Sequence, residues 1–474
     1  MDYETVVGIE IHLELKTLTK MFSGAPYHFK SEANTCTNEI DLGHPGTLPQ
    51  VNRDAVKKSL MICCGLNATI DPLIKFDRKN YYYSDLAKGF QITQQFHPIG
   101  RNGFVNVLVN NQLKKIRINR IHMEEDTAKQ FHLFDQTLID FNRSGVPLVE
   151  IVSEPDISSG DEAMAYVDKI RQTCEYLDVS DVKMEEGSLR CDVNISVKEK
   201  GSSVFGNKVE VKNLNSLANV KAAIDYETKR QIDLLEKGEK IVQETRRFDE
   251  KNNQTVSMRL KESSVDYKYF PEPNIFPIRL SSEYINDVKN SIPELPDAKQ
   301  KRYIEEYKLS EYDSNVILSS KDICNFFDEA CKTANNKKIL CNLLTSELQG
   351  LLVKNNESIV DCKVTPKNLS VLANLIDSNT VSSKQSKEIL PEMLKGKDPE
   401  SIIKEKGIEQ LSDESEILKI VNEVLDANEQ SIIDFKNGKD RAFGFLVGQI
   451  MKKTNGQVNP KIASKILTSE IGKR

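Results

Sequence analysis

Up to about residue 290 the chain alternates apolar and polar positions in short runs; beyond that, apolar residues recur every three or four positions. The first spacing puts alternate residues on opposite faces of strands, and the second gathers them on one face of helices. Val7, Ile9, Ile11, Leu13 and Leu15 alternate with Gly8, Glu10, His12 and Glu14. One face of this strand is continuously apolar and must be buried, while the other carries two carboxylates and an imidazole at steps of about 7 Å. The pattern recurs. Leu189, Cys191, Val193, Ile195 and Val197 alternate with Arg190, Asp192, Asn194 and Ser196, and Val209 and Val211 with Lys208, Glu210 and Lys212. Glu150 and Glu154 share one face of the run Leu148 to Glu154, and Ile116 to Ile121 leads straight into His122, Met123, Glu124, Glu125 and Asp126.

The change of period coincides with a proline-dense stretch (Pro271, Pro273, Pro277, Pro293 and Pro296), which places a first boundary there. Within the helical part, Thr365-Pro366 supplies an N-cap and a first-turn proline ahead of Leu369, Leu372, Ala373 and Ile376. Phe443, Leu446, Val447, Ile450 and Met451 predict an amphipathic helix ending at Lys452-Lys453. A second boundary falls near residue 400, around Gly396-Lys397-Asp398-Pro399.

At 474 residues the chain has room for two or three domains. No apolar run approaches the roughly 20 residues that span a bilayer, and the start, Met1-Asp2-Tyr3-Glu4, lacks the basic and apolar segments of a signal peptide. Nine cysteines, odd in number and without C-x-x-C spacing, fit the same cytoplasmic expectation. The net charge is −6, unevenly spread: from residue 435 to 474 nine Lys or Arg face only Asp440 and Glu470, a local excess of +7 that leaves −13 on the rest. A cationic end on an acidic body suits a polyanionic partner held at that end, although a solvated charged surface would look alike.

If the carboxylate-bearing strands share a sheet, their charges converge, and two carboxylates about 4 Å apart repel by roughly 4 kcal/mol at an effective dielectric near 20. A divalent cation offsets this, and oxygen-rich ligation points to Mg²⁺. The imidazole of His12 suits Mg²⁺ poorly, so it either stands behind the direct ligands or the site also accepts Mn²⁺. The segment Phe76 to Lys88 interleaves cations with Tyr81, Tyr82 and Tyr83, a mixture that suits phosphates beside a base. There is no G-x-x-x-x-G-K-[ST] phosphate loop, no G-x-G-x-x-G after a strand, and no evident glutaminase motif.

The run from Leu138 to Asp156 (LIDFNRSGVPLVEIVSEPD) closely resembles the signature of the GatB family, the tRNA-handling component of the aspartyl/glutamyl-tRNA amidotransferase. So do the segments Val7 to His12, Phe76 to Tyr81, His122 to Asp126, Lys183 to Asp192 and Phe443 to Gln449. The resemblance implies an α+β chain: a large mixed-sheet cradle domain at residues 1–292, a helical domain at 293–400, and a small basic helical tail at 401–474 that binds tRNA through Arg441, Lys452, Lys453 and Lys461. It also implies a heterotrimer with an amidase (A) subunit, which supplies ammonia from glutamine, and a small C subunit. ATP then serves to phosphorylate the side-chain carboxylate of misacylated tRNA(Gln) or tRNA(Asn), and ammonia displaces the phosphate.

Carried over by position, Glu10, His12, Glu125 and Glu150 are the metal ligands. Glu125, Glu124, Lys79, Arg190 and Asp192 are the catalytic candidates, with Tyr81, Asp85, Glu185 and Glu210 as cofactor-binding candidates. Some relatives bind zinc through clustered cysteines around Asn38-Glu39-Ile40-Asp41; only Cys36 stands near that stretch here, so no structural zinc is expected. Two other classes fit the same strands, a tRNA-binding scaffold without chemistry of its own and a metal-dependent phosphohydrolase that needs no tRNA.

Overall fold

The computed structural model describes residues 2–260, 266–407, 414–436, 439–454, 458 and 460–474. The chain divides into two compact units, residues 1–296 and 297–474, close to the first boundary expected from the prolines. No described helix is long and apolar enough to cross a membrane.

In the first unit the strands are β1 (Tyr3–Glu14), β2 (Thr69–Ile70), β3 (Leu73–Ile74), β4 (Asp77–Asn80), β5 (Phe90–Thr93), β6 (Gly100–Val109), β7 (Gln112–Glu125), β8 (Lys129–His132) and β9 (Thr137–Asp140). They continue as β10 (Pro147–Ser153), β11 (Leu189–Glu199), β12 (Val209–Lys212), β13 (Glu244–Asp249), β14 (Gln254–Leu260), β15 (Phe270–Pro271) and β16 (Ile278–Arg279). Nine of them form one mixed sheet in the order β14-β13-β12-β11-β1-β10-β7-β6-β2, in which only β12 and β13 run parallel. Helices α1 (Arg53–Gly65), α2 (Gly160–Tyr176) and α3 (Leu217–Glu236) pack on this sheet. Their apolar faces join Val7, Ile9, Ile11 and Leu13 of β1 and Leu189, Cys191, Val193 and Ile195 of β11 in one core. Alternation then sends the polar members of the same strands to the opposite face.

The proline-dense stretch belongs to this unit and does not leave it. Phe270 and Pro271 pair with Arg78 and Asp77, so β15, β4 and β5 make a small second sheet, and Ile278 and Arg279 pair with β3. Proline is tolerated because both are short edge strands.

The second unit is helical. Thr365 accepts a hydrogen bond from the Asn368 amide and opens the helix Pro366–Asp377, whose Leu369, Leu372 and Ala373 are buried. Asp398 likewise caps the helix Pro399–Lys406, which packs on the helices Ser383–Met393 and Pro366–Asp377. Asp-Pro near residue 400 thus begins a helix of this packed group, because an N-cap followed by proline is a start signal as much as a break. The helices Glu414–Asp426, Glu429–Lys436, Asp440–Lys453 and Pro460–Lys473 share a separate core that includes Ile417, Val421, Leu446, Ile450, Ala463 and Leu467.

Candidate functional site

Register on the polar face of the large sheet decides which side chains meet. His12 on β1 stands opposite Arg190 on β11 and Glu150 on β10, and Glu150 stands opposite His122 on β7. One row across four strands therefore reads Arg190, His12, Glu150, His122. Glu10 and Asp192 are partners in the next row.

A bulge in β7 brings the fourth strand into play. Ile116 and Ile118 are buried, as are Ile121 and Met123, so the inward parity switches from even to odd numbers where the pairing with β10 shifts at Val152/Ser153. An extra residue re-aims every side chain beyond it. Without the switch His122 and Glu124 would share the inward parity of Ile116 and Ile118; with it they turn to the polar face.

His12 Nε2 lies 3.7 Å from Glu124 Oε1 and 3.6 Å from Glu150 Oε2. Ligand atoms about 2.1 Å from a common cation stand about 3–4 Å apart, so this imidazole and two carboxylates fit a divalent ion. All three offer atoms within 4.8 Å of one another. His122 Nε2 approaches Glu150 at 3.1 Å. Although burial opposes ionisation of Glu150, His122, His12 and Lys79 hold its carboxyl well below the usual range. Lys79 stands on neighbouring β4: burial works against its charge, but Glu124, followed by Tyr269 and Glu150, keeps the ammonium above its ordinary value. Burial, Glu150 and Asp192 together raise the carboxyl of Glu10, which accepts a 2.9 Å hydrogen bond from Asn194.

Of the four ligands expected from the sequence, His12 and Glu150 meet, with Glu124 as their third partner. Glu125 points the other way, where it is ion-paired with Lys88 and accepts from the Ile92 amide at 3.0 Å. Adjacent residues of a strand face opposite sides, so Glu124 and Glu125 cannot both reach His12. Glu10 lies one step along β1, outside the trio.

Among the other candidates, Arg190 is paired with buried Asp126, which Arg143 also approaches at 3.7 Å. Asp192 and Glu210 flank Lys212 at 2.7 and 3.2 Å, and Glu210 also accepts from Thr245. Asp85 accepts from the Thr127 hydroxyl at 3.1 Å, away from the trio's contacts. Glu185 is exposed and lines the larger of two clefts. That cleft, about 630 Å³, reaches Glu14, Arg143, Arg190, Asp192 and Lys212 on its floor. Burial first, then Asp126, pushes the Glu14 carboxyl up to about 8. The smaller cleft, about 340 Å³, lies over Gly8, Glu10, Ser153, Asn194 and Phe205. Strand β1 thus carries Gly8 and Glu10 in one cleft, His12 between, and Glu14 in the other.

Sequence reading missed Tyr267 and Tyr269. Lys79 Nζ lies 5.0 Å from the Tyr267 ring centre and 5.7 Å from that of Tyr81, and the rings of Tyr81, Tyr267 and Tyr269 pack edge to face at about 6 Å. The signal was present in Asp266-Tyr267-Lys268-Tyr269-Phe270-Pro271, which repeats the cation and tyrosine mixture of residues 79–83. Where zinc is not expected, Asp41 is held instead by buried Lys20 at 3.1 Å and by the Ser23 hydroxyl at 2.7 Å.

In the tail, Arg441, Lys452 and Lys453 are exposed, and Lys453 is paired with Glu423 at 2.5 Å. The side chain of Lys461 lies outside the described residues. Over residues 401–474 the 12 Lys and Arg face 11 Asp and Glu, so the positive excess is confined to residues 435–474.

The polar face of the sheet collects two carboxylates and two imidazoles between two clefts, and the model of the GatB/GatE catalytic domain matches residues 5–286. A second model, the GatB domain, matches residues 325–471. The chain is 51% identical over 476 residues, with both chains wholly covered, to the GatB-type component of the aspartyl/glutamyl-tRNA(Asn/Gln) amidotransferase of Geobacillus kaustophilus, and 50% identical to that of Geobacillus thermodenitrificans. The corresponding protein of Staphylococcus saprophyticus is 49% identical, again over the whole of both chains. The chain belongs to the GatB family of aspartyl/glutamyl-tRNA amidotransferase subunits.

Proposed function

We propose that this chain carries out the ATP-dependent half of tRNA-dependent amide synthesis, converting glutamate esterified to tRNA(Gln), aspartate esterified to tRNA(Asn), or both, into the amides used in translation. The observation that carries this reading is the meeting of His12, Glu124 and Glu150 between two clefts. A carboxylate oxygen is a poor leaving group. An oxygen of the substrate carboxylate therefore bonds to the γ-phosphorus of ATP as the bond to ADP breaks. Ammonia next bonds to the carbonyl carbon, loses a proton, and the phosphate departs.

This chemistry depends mainly on positioning and charge neutralisation. Mg²⁺, or Mn²⁺ given the imidazole, supplies charge neutralisation at the phosphates when held by His12, Glu124 and Glu150. Lys79 balances the same carboxylates and offers an ammonium to the transferred phosphoryl group. Arg190, held by Asp126, presents its guanidinium to the larger cleft. Glu10, Asn194 and Phe205 make the smaller cleft a suitable nucleotide site. The missing glutaminase motif is accounted for by an amidase subunit that supplies ammonia, with a small C subunit completing a cytoplasmic heterotrimer. Residues 401–474, with their own apolar core from Ile417 onward, are the tRNA-binding tail, acting through Arg441, Lys452, Lys453 and Lys461.

The deciding experiment supplies the complex with Glu-tRNA(Gln) or Asp-tRNA(Asn), ATP, Mg²⁺ and ammonium. Conversion that requires ATP and is lost in Glu124→Gln and Glu150→Gln supports the reading. Intact tRNA binding without any conversion would assign the chain to a scaffold role.

A further inference from the structure

Two phenylalanines stand half-exposed at the mouth of the larger cleft. Phe29 is 51% exposed and Phe131 is 43% exposed, and both line this cleft. Neither ring has an aromatic neighbour among the described residues, in contrast to Tyr81, Tyr267 and Tyr269, which pack on one another. Each instead has a lysine over its face: Lys30 lies 5.2 Å from the Phe29 ring centre and Lys129 lies 4.9 Å from that of Phe131.

The mouth is also built to hold its shape. Asn34 donates to the Ile139 carbonyl at 3.1 Å, accepts from the Phe141 amide at 2.8 Å, and gives its own amide to Asp140 at 3.0 Å. Asn142 donates to the Glu32 carbonyl and accepts from the Cys36 amide, both at 2.7 Å. The loop carrying Phe29 is thereby fastened to the β8–β9 hairpin carrying Phe131. Lys30 adopts a left-handed φ of 66°, uncommon for a lysine, which bends the loop at the mouth.

Exposed rings with cations beside them suit single-stranded nucleic acid, since every base has a face to stack and every linkage a phosphate to pair. The floor below leads the same way. Glu14, on the floor of this cleft, is two residues, about 7 Å, along β1 from His12. A chain end stacked at the mouth would direct its terminal ester toward the carboxylate and imidazole cluster.

We propose that Phe29 and Phe131, with Lys30 and Lys129, form the platform on which the unpaired 3′-terminal nucleotides of the substrate tRNA stack, delivering the esterified amino acid through the larger cleft to His12, Glu124 and Glu150. This rests on the functional reading above and adds the side chains that receive the tRNA end.

The test uses the assembled complex carrying Phe29→Ala, Phe131→Ala or both, with full-length tRNA and the same tRNA shortened by its unpaired 3′ nucleotides. Each substitution is expected to weaken binding of full-length tRNA, and raise the KM for misacylated tRNA, on the order of 10-fold. Binding of the shortened tRNA, the KM for ATP and the partner's glutaminase rate should stay unchanged, and Phe131→Trp should restore binding. Equal weakening for both tRNAs, no weakening at all, or loss of partner subunits on gel filtration would overturn the proposal. If the unsubstituted complex fails to convert misacylated tRNA, the functional reading itself falls; if it converts normally and the alanine variants match it, only the platform does.

Discussion

In the sheet unit Glu124, Glu125, Asp126 and Glu150 are buried, and each leans on a cation or imidazole from elsewhere in the chain. In the helical unit the charged pairs Lys453–Glu423, Lys473–Glu470 and Arg474–Asp426 lie along the surface, outside an apolar core. The difference follows from the elements. A sheet places polar residues of several strands side by side on one face, where they remove one another's water. A helix spreads its polar residues over an outer arc. Charges in the first setting must be matched, because a buried charge left alone is costly. Charges in the second are free to act on a distant polyanion, though each surface pair adds little to stability.

Four experiments would sharpen or break this contrast. The largest effect is expected in the sheet: Glu124→Gln or Glu150→Gln should slow conversion of misacylated tRNA about 100- to 1000-fold, the range seen when a preorganised charge partner is removed. Thermal shift should show that divalent cations stabilise the wild-type chain and fail to stabilise either variant. Next comes Asp41→Asn, which leaves buried Lys20 without its counter-charge and should cost about 3 kcal/mol by urea unfolding.

That variant also has a pH signature. Burial already lowers the Lys20 pKa below its ordinary value, and without Asp41 it falls further. The folded chain then binds fewer protons than the unfolded one, so stability rises with pH between the folded-state value and the ordinary lysine range. The deficit of Asp41→Asn should therefore shrink as pH is raised through that window. A deficit independent of pH would mean that lost hydrogen bonds, not the stranded charge, weaken the protein.

In the tail, Arg441→Glu with Lys452→Glu should weaken tRNA binding about 10-fold and reduce the slope of log affinity against log salt by about two. An unchanged slope would show that the exposed cations do not face phosphate. Smallest of all, Lys453→Ala should change stability by less than about 0.5 kcal/mol, since its partner Glu423 is exposed as well.

Much of the site could be read in the chain because strand alternation needs no partner to be recognised. Gly8, Glu10, His12 and Glu14 share a face by parity alone, and so do Arg190 and Asp192. Parity stops being informative at β7, where the bulge before Ile121 exchanges the two faces. Nothing in the run of isoleucines reveals the extra residue, so the sequence points to Glu125 as a ligand where the pairing with β10 brings Glu124 to His12 instead. Tyr267 and Tyr269 were overlooked for a related reason. They precede prolines that read as a boundary, and only pairing of Phe270 with Arg78, nearly 200 residues earlier, brings them to Lys79.

The amino-acid sequence alone determined the α+β class, the buried face of β1, the capped helix at Thr365 and the family, because these rest on local periodicity, local hydrogen bonds and matched segments. Tertiary structure decided that His12 meets Glu124 and Glu150, that Glu125 turns to Lys88, and that the helix Pro399–Lys406 packs with the helices before it. Those outcomes depend on register between strands and on packing between helices, both long-range, and a one-residue slip in either would send the same side chains elsewhere.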